Sequence, residues 1–204
     1  MELPSVILIS PPSYKSGEID LICKFFDEGL MRYHLRKPNF SIEEIYEFLE
    51  KVPTKYLSKI VVHRYPEILK DFDLGGYHFR SNEPVTDVRG SSSRSLHKID
   101  ELVQLKENFE YVFLGPVFRS ISKKGYGPKI SLNQIFSVLK NDSLNHLSKK
   151  PNVYALGGIR KKKMIRLAEV GFSGVALLGA VWGSSDPLRA LKEFLSMGSY
   201  FPSS

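Results

Sequence analysis

Cysteine is nearly absent: Cys23 is the only one in 204 residues. One thiol cannot close an internal disulfide, so the chain is not a staple-held secreted scaffold, and a reducing, cytoplasmic setting is expected. Cys23 lies between Leu21-Ile22 and Phe25-Phe26, which suits a buried helix position better than a reactive thiol. No apolar run reaches the roughly 20 residues of a membrane span, so no membrane partner is expected. The opening MELPSVILIS is apolar but has no basic region ahead of it. It reads as a first strand, not a signal peptide. HExxH, CxxC and GxSxG are all missing, which argues against zinc hydrolase and α/β-hydrolase chemistry. No GxGxxG opens a helix, which weakens a dinucleotide site. No linker, repeat array or low-complexity tract divides the chain, so residues 1–204 read as a single domain.

The net charge is +7 and the pI about 9.3, which favours anionic partners. The basic residues are scattered apart from Arg160-Lys161-Lys162-Lys163, and no zinc-finger or RRM pattern occurs. Nucleic acid is therefore not the expected partner. Hydrophobic residues make up 42%, enough for one sizeable core.

Short apolar segments alternate with amphipathic ones along the whole chain. Strands are expected at 6–9, 30–36, 59–63, 76–79, 85–90, 111–114, 152–156 and 175–178. Helices are expected at 18–28, from Ser41, at 95–106, 131–140 and 160–170, and from Asp186. Ser41 with Glu44 forms a capping box, and Pro187 suits a first helical turn after Asp186. Residues 81–84 are too short for a crossover helix between the fourth and fifth strands, so that helix is reduced or missing. Eight strands alternating with helices indicate an α/β protein with a parallel sheet. An open doubly wound sheet and a closed barrel compete. Eight units in so short a chain, with glycine after the last two strands, favour a compact (β/α)8 TIM barrel.

Such a barrel carries its site at the C-terminal strand ends. Those ends hold His34 and Arg36, His63 and Arg64, His78 and Arg80, Ser91 to Ser93 with Arg94, Gly157-Gly158, and Gly179. The sixth strand, YVFL, runs into GPVFRSISKKGYG, which carries Ser120, Ser122 and Lys123. Hydroxyls, backbone N–H groups and a lysine suit a phosphate or diphosphate. A solvated basic loop after a core strand is the plainer alternative. Gly157-Gly158 could simply turn the chain into a helix, and His34 and His78 could be hydrogen-bonded core residues.

Taken together, these motifs resemble the thiamine phosphate synthase family, including its thiazole tautomerase (TenI) branch. The likeness covers nearly the whole chain in order: HLRKP at 34–38, GYH at 76–78, 90–95, GPVFRSISK at 115–123, ALGGI at 155–159 and GFSGVALLGAVW at 171–182. It implies an enzyme of thiamine biosynthesis that joins hydroxymethylpyrimidine diphosphate to thiazole phosphate. Thiazole tautomerisation, or non-catalytic binding of a thiazole phosphate, are the alternatives. By resemblance, Arg36, Ser92 and Lys123 grip the diphosphate, Ser120 and Ser122 reach the thiazole phosphate, and Gly157, Gly158 and Gly179 offer it backbone N–H groups.

The chain also departs from the pattern. The family's Asn-Asp pair, whose Asp binds Mg²⁺, aligns with His63-Arg64. The second metal Asp aligns with Glu83, a weak candidate ligand. A lysine position is Pro38, with Lys37 one place off; the family's Gln is His34; the tautomerase His aligns with Arg94. Arg64 and Arg94 could supply charge in place of metal, and His34, His63 or His97 could supply acid–base chemistry. The expected partners are phosphorylated small molecules. The oligomeric state, a homodimer included, stays open.

Overall fold

The structure, a computed structural model, describes residues 3–119 and 130–202. Eight parallel strands close into a barrel in sequence order: β1 Val6–Ile9, β2 Tyr33–Leu35, β3 Ile60–Val62, β4 Gly76–Phe79, β5 Ser91–Leu96, β6 Tyr111–Leu114, β7 Asn152–Leu156 and β8 Gly174–Leu177. Helices α1 Glu18–Asp27, α2 Ile42–Glu50, α3 Thr54–Leu57, α4 Ile99–Val103, α5 Leu132–Lys140, α6 Met164–Val170, α7 Gly179–Trp182 and α8 Pro187–Ser196 join them. β8 pairs with β1 through Val6 opposite Val175, which closes the ring. Among the described residues no helix is long and apolar enough to cross a membrane.

The helix starts follow local chemistry. Ser41 and Ser131 each form a full capping box, with Glu44 and Gln134 respectively. Asp186 accepts from the Arg189 N–H, and Pro187 occupies the first turn of α8. Gly171 ends α6 in the left-handed region at φ 104°. Residues 80–90 contain no helix, so the crossover between β4 and β5 is indeed missing its helix.

Strand alternation divides the core into two shells. Val6 and Leu8 face outward and pack with Ile22, Phe25 and Phe26 of α1 in the layer beneath the helices. Ile7 and Ile9 face the barrel axis with Tyr111, Phe113, Tyr154 and Ala176. The axis is apolar on the β6–β8 and β1 side only. On the β2–β5 side it carries His34, His78 and Ser93, all buried. Arg32, two residues before His34, lies deeper, donating to the Gly75 carbonyl at 3.0 Å and to Ser91 Oγ at 3.1 Å.

β5 overturns one expectation. It begins at Ser91 rather than 85, because Val85 is exposed and the hydroxyl-rich 91–96 segment pairs residue for residue with β4. An apolar run was the wrong signal here, since β5 lines the polar side of the axis.

Glu18 anchors α1 to the rest of the barrel. Its side chain and that of Lys37 are fully buried, with the Lys37 Nζ 2.7 and 2.8 Å from the two carboxylate oxygens. The Tyr33 hydroxyl donates to Glu18 Oε1 at 3.0 Å and the Lys15 N–H to Oε2 at 3.1 Å. The carboxylate sits in the first turn of α1, where the helix dipole favours it. Lys37, one place beyond Arg36, thus points away from the barrel mouth. Removing one partner strands a buried charge, so Glu18→Ala should cost about 3–5 kcal/mol in urea unfolding. The double variant Glu18→Leu/Lys37→Met should recover much of that loss. A single-variant loss below about 1 kcal/mol would show the pair to be dispensable.

Candidate active site

Parallel strands deliver all eight C-terminal ends to one mouth, and a cavity of about 460 Å³ opens there. Its walls differ in character. Ile9, Phe113, Leu156 and Leu178 make an apolar side. Arg36, Arg80, His63, His78 and Ser95 make the polar side, with His97 at the rim. Gly157, Gly158 and Gly179 bring bare backbone to the cavity.

The glycine turn after β7 is sterically specified. Gly157 and Gly158 have φ values of 94° and 65°, in the region that side chains disfavour. A Cβ on Gly157 would lie 2.7 Å from Pro116 Cβ, and one on Gly158 would meet the Arg119 carbonyl. Pro116 follows Gly115 through a cis peptide. The Val117 and Phe118 N–H groups donate to the carbonyls of Leu156 and Gly157 at 2.9 and 3.2 Å. The segment after β6 and the turn after β7 therefore form one packed unit at the mouth. Gly179 follows β8 after Leu178 and begins α7.

The histidines form a connected network. His34 Nδ1 lies 2.9 Å from His63 Nε2, and His34 Nε2 lies 2.8 Å from the Tyr111 hydroxyl. His78 reaches Ser93 Oγ through Nδ1 and Ser95 Oγ through Nε2, each at 2.8 Å. The His63 and His78 rings sit 4.2 Å apart. Burial drives all three imidazoles to the neutral form. His34 lies well below its ordinary pKa of 6.5, lowered by burial and then by His78 and Arg32, and His63 likewise, lowered by burial and then by His78, His34 and Arg36. For His78, burial and then Arg36 and Arg94 bring the pKa to about 3. Burial likewise pushes the Tyr111 hydroxyl up to about 12.

Arg36 stands at the end of β2, where its N–H donates to Ser10 Oγ at 2.8 Å and the Ser10 hydroxyl donates to the Arg36 carbonyl at 3.0 Å. That staple to the end of β1 fixes the backbone while the exposed guanidinium lines the cavity.

Several expected site residues lie elsewhere. Because β5 begins at Ser91, the odd-numbered Ser91, Ser93 and Ser95 face the axis, and Ser92 and Arg94 do not. Ser92 lines a separate groove at the opposite mouth, with Asp73 and Glu110. Arg94 lies outside the barrel, bonded to Glu107 and the Glu83 carbonyl and stacked on Phe109. Neither can hold an anion in the cavity. Arg64 braces the 38–40 loop, donating to the Pro38 and Phe40 carbonyls and stacking on Tyr65, and is not part of the cavity wall. Ser120, Ser122 and Lys123 fall outside the described residues. Tyr111 and Ser95 were missed by sequence reasoning. The one signal for Ser95 was the hydroxyl at every second position from 91 to 95.

The Mg²⁺ expected from the family pattern does not fit the described side chains. Mg²⁺ takes hard oxygen ligands in octahedral array. Arg64 occupies one carboxylate position. Glu83, at the other, accepts from the Tyr77 hydroxyl at 2.7 Å and the Arg80 N–H at 3.0 Å, and pairs with the Arg80 side chain. Among the described residues, the sole group of three potential ligands is His34, His63 and His78, all nitrogen.

Comparison with known proteins gives a consistent result. A family model described as thiamine monophosphate synthase matches residues 6–181. The chain is 27% identical over 159 residues to a thiamine-phosphate synthase of Prochlorococcus marinus, covering 72% of this chain and 42% of that protein. It is 23% identical over 207 residues to a thiamine-phosphate synthase of Archaeoglobus fulgidus, covering 98% and 95%. The chain thus spans less than half of the first relative's length and nearly all of the second's. Among solved structures, thiamine phosphate pyrophosphorylase from Bacteroides thetaiotaomicron superposes with a TM-score of 0.76 at 27% identity, covering 96% of this chain and 95% of that one. The Pyrococcus furiosus counterpart matches with a TM-score of 0.76 at 18% identity and the same coverage, a likeness of fold.

The buried histidines make stability depend on pH. Unfolded imidazoles bind protons below about pH 6.5, whereas the folded ones resist protonation far below it, down to about 3 for His78. The unfolded state therefore holds more protons in that window. The stabilisation is complete above pH 6.5 and is lost progressively between about pH 6.5 and 3. Thermal unfolding of chelator-treated protein should show a falling Tm from pH 7.5 to 4.5, with a shallower slope for His78→Gln. An unchanged slope in the variant would remove His78 as a source.

Proposed function

The chain belongs to the thiamine monophosphate synthase family, and on that premise we propose that it joins a hydroxymethylpyrimidine diphosphate to a thiazole phosphate. The products are thiamine phosphate and diphosphate. The family match carries the reading, together with the meeting of Arg36 and the glycine turn at one cavity.

In the proposed reaction, the bond from the pyrimidine methylene carbon to the diphosphate oxygen breaks, and the electron pair leaves with diphosphate. The thiazole nitrogen then donates its lone pair to the methylene cation and becomes a thiazolium. Charge develops chiefly on the departing diphosphate, so preorganised cations are the useful catalysts. Arg36 and Arg80, which both line the polar wall, suit that role. The backbone N–H groups of Gly157, Gly158 and Gly179 suit the thiazole phosphate, because no Cβ keeps an anion away. The apolar wall of Ile9, Phe113 and Leu178 would orient the two rings and keep water from the cation. By resemblance, Ser120, Ser122 and Lys123 add donors from the segment after β6.

Formation of thiamine phosphate by the purified protein from the two substrates tests the reading. Arg36→Ala should lower kcat/KM by about 10²–10³, the usual effect of removing a charge-stabilising donor. Ser92→Ala should stay within about twofold of the parent, since Ser92 lies at the other mouth. Isomerisation of a thiazole phosphate without any condensation would replace this reading with tautomerisation.

A further inference from the structure

We propose that His34, His63 and His78 form a three-histidine site for a divalent transition-metal ion of the zinc class, beneath the cavity. The three come from consecutive strands: from β2, the end of β3, and β4. One nitrogen from each lies within 4.8 Å of the others. A tetrahedral zinc ion with bonds of about 2.0–2.1 Å sets its nitrogens about 3.4 Å apart. His34 Nδ1 and His63 Nε2, at 2.9 Å, already converge. The third nitrogen, from His78, lies within 4.8 Å of the other two and must close on them to complete the set.

The surroundings match a metal site in a further way. Ligating histidines need an outer partner on the other ring nitrogen, which sets the tautomer and aims the lone pair. His34 Nε2 has the Tyr111 hydroxyl at 2.8 Å, and His78 Nδ1 has Ser93 Oγ at 2.8 Å. His34 Nδ1, His63 Nε2 and His78 Nε2 are then the inward atoms. The ion displaces the Ser95 hydroxyl from His78 Nε2. Both rings are neutral, so in the bound form the proton shared between them moves to an outer nitrogen, His34 Nε2 or His63 Nδ1, and no net proton is released.

His63 and His78 line the cavity, so the fourth position opens towards bound substrate. Arg32, Arg36 and Arg94 are the charged groups that bear on the three rings, and all oppose a bare cation. An anion beside Arg36 would relieve that repulsion. The site should therefore bind metal more tightly when diphosphate is present, and diphosphate more tightly when metal is present. The metal site stands on the three histidines alone. Its role as an acceptor for diphosphate rests on the reaction proposed above.

Cobalt(II) reports the geometry by its visible absorption, and zinc competes for the same site. Titration of chelator-treated full-length protein should show one equivalent of Co²⁺ with an intense tetrahedral band, displaced by Zn²⁺. His63→Gln, at the edge of the buried set, should weaken binding at least about 100-fold with its thermal unfolding still cooperative. Tyr111→Phe should retain the band but bind about 10-fold more weakly, the usual effect of losing an outer partner. Inorganic diphosphate should tighten Co²⁺ binding in the parent protein and not in Arg36→Ala. Absence of a one-to-one complex, or undiminished binding in folded His63→Gln, overturns the site and leaves a metal-free hydrogen-bond network. Metal binding without thiamine phosphate formation keeps the site and fails the proposed reaction. Binding indifferent to diphosphate overturns the acceptor role.

Discussion

A closed ring of parallel strands places every second side chain of each strand on the barrel axis, and this alternation governs most of the molecule. It puts Ile7 and Ile9 inside while Val6 and Leu8 meet the helices. It puts Arg32, His34 and Arg36 on one line from the depth of the barrel to its mouth. It also sorts β5 into inward hydroxyls and the outward Ser92 and Arg94. A slip of one residue in any strand would exchange the two sets.

The axis is filled differently on its two sides, and the cavity inherits the difference. From β6 round to β1, aromatic and aliphatic side chains pack as an ordinary core. From β2 to β5, imidazoles and hydroxyls replace them, and each must be hydrogen-bonded because water is excluded. The imidazoles remain neutral for the same reason. At the mouth, cationic charge is thus carried by Arg36 and Arg80 at the rim, where solvent reduces its cost, with neutral imidazoles beneath and the buried, hydrogen-bonded Arg32 deeper still. An anionic ligand with a ring system meets charge at the rim, bare backbone at the glycine turn and apolar surface on the opposite wall.

Much of this was legible in the chain. The eight strand–helix units, the caps at Ser41 and Asp186, the missing helix between β4 and β5 and the mouth positions of Arg36, Gly157, Gly158 and Gly179 follow from periodicity, capping chemistry and strand-end position. The failures have two sources. β5 has no apolar run, so its bounds shifted and with them the directions of Ser92 and Arg94. Arg64 follows β3 after His63, yet its side chain satisfies two loop carbonyls instead of facing the cavity.

The sequence by itself determined the family and the barrel, because local pattern and ordered motifs are properties of neighbouring residues. Only the tertiary structure decided which of the strand-end groups act together. His34 and Tyr111 are 77 positions apart and hydrogen-bond across the axis, and Glu18 and Lys37 meet as a buried pair between α1 and the loop after β2. Such meetings depend on barrel closure and strand register, which join residues far apart in the chain and leave no periodic trace in it.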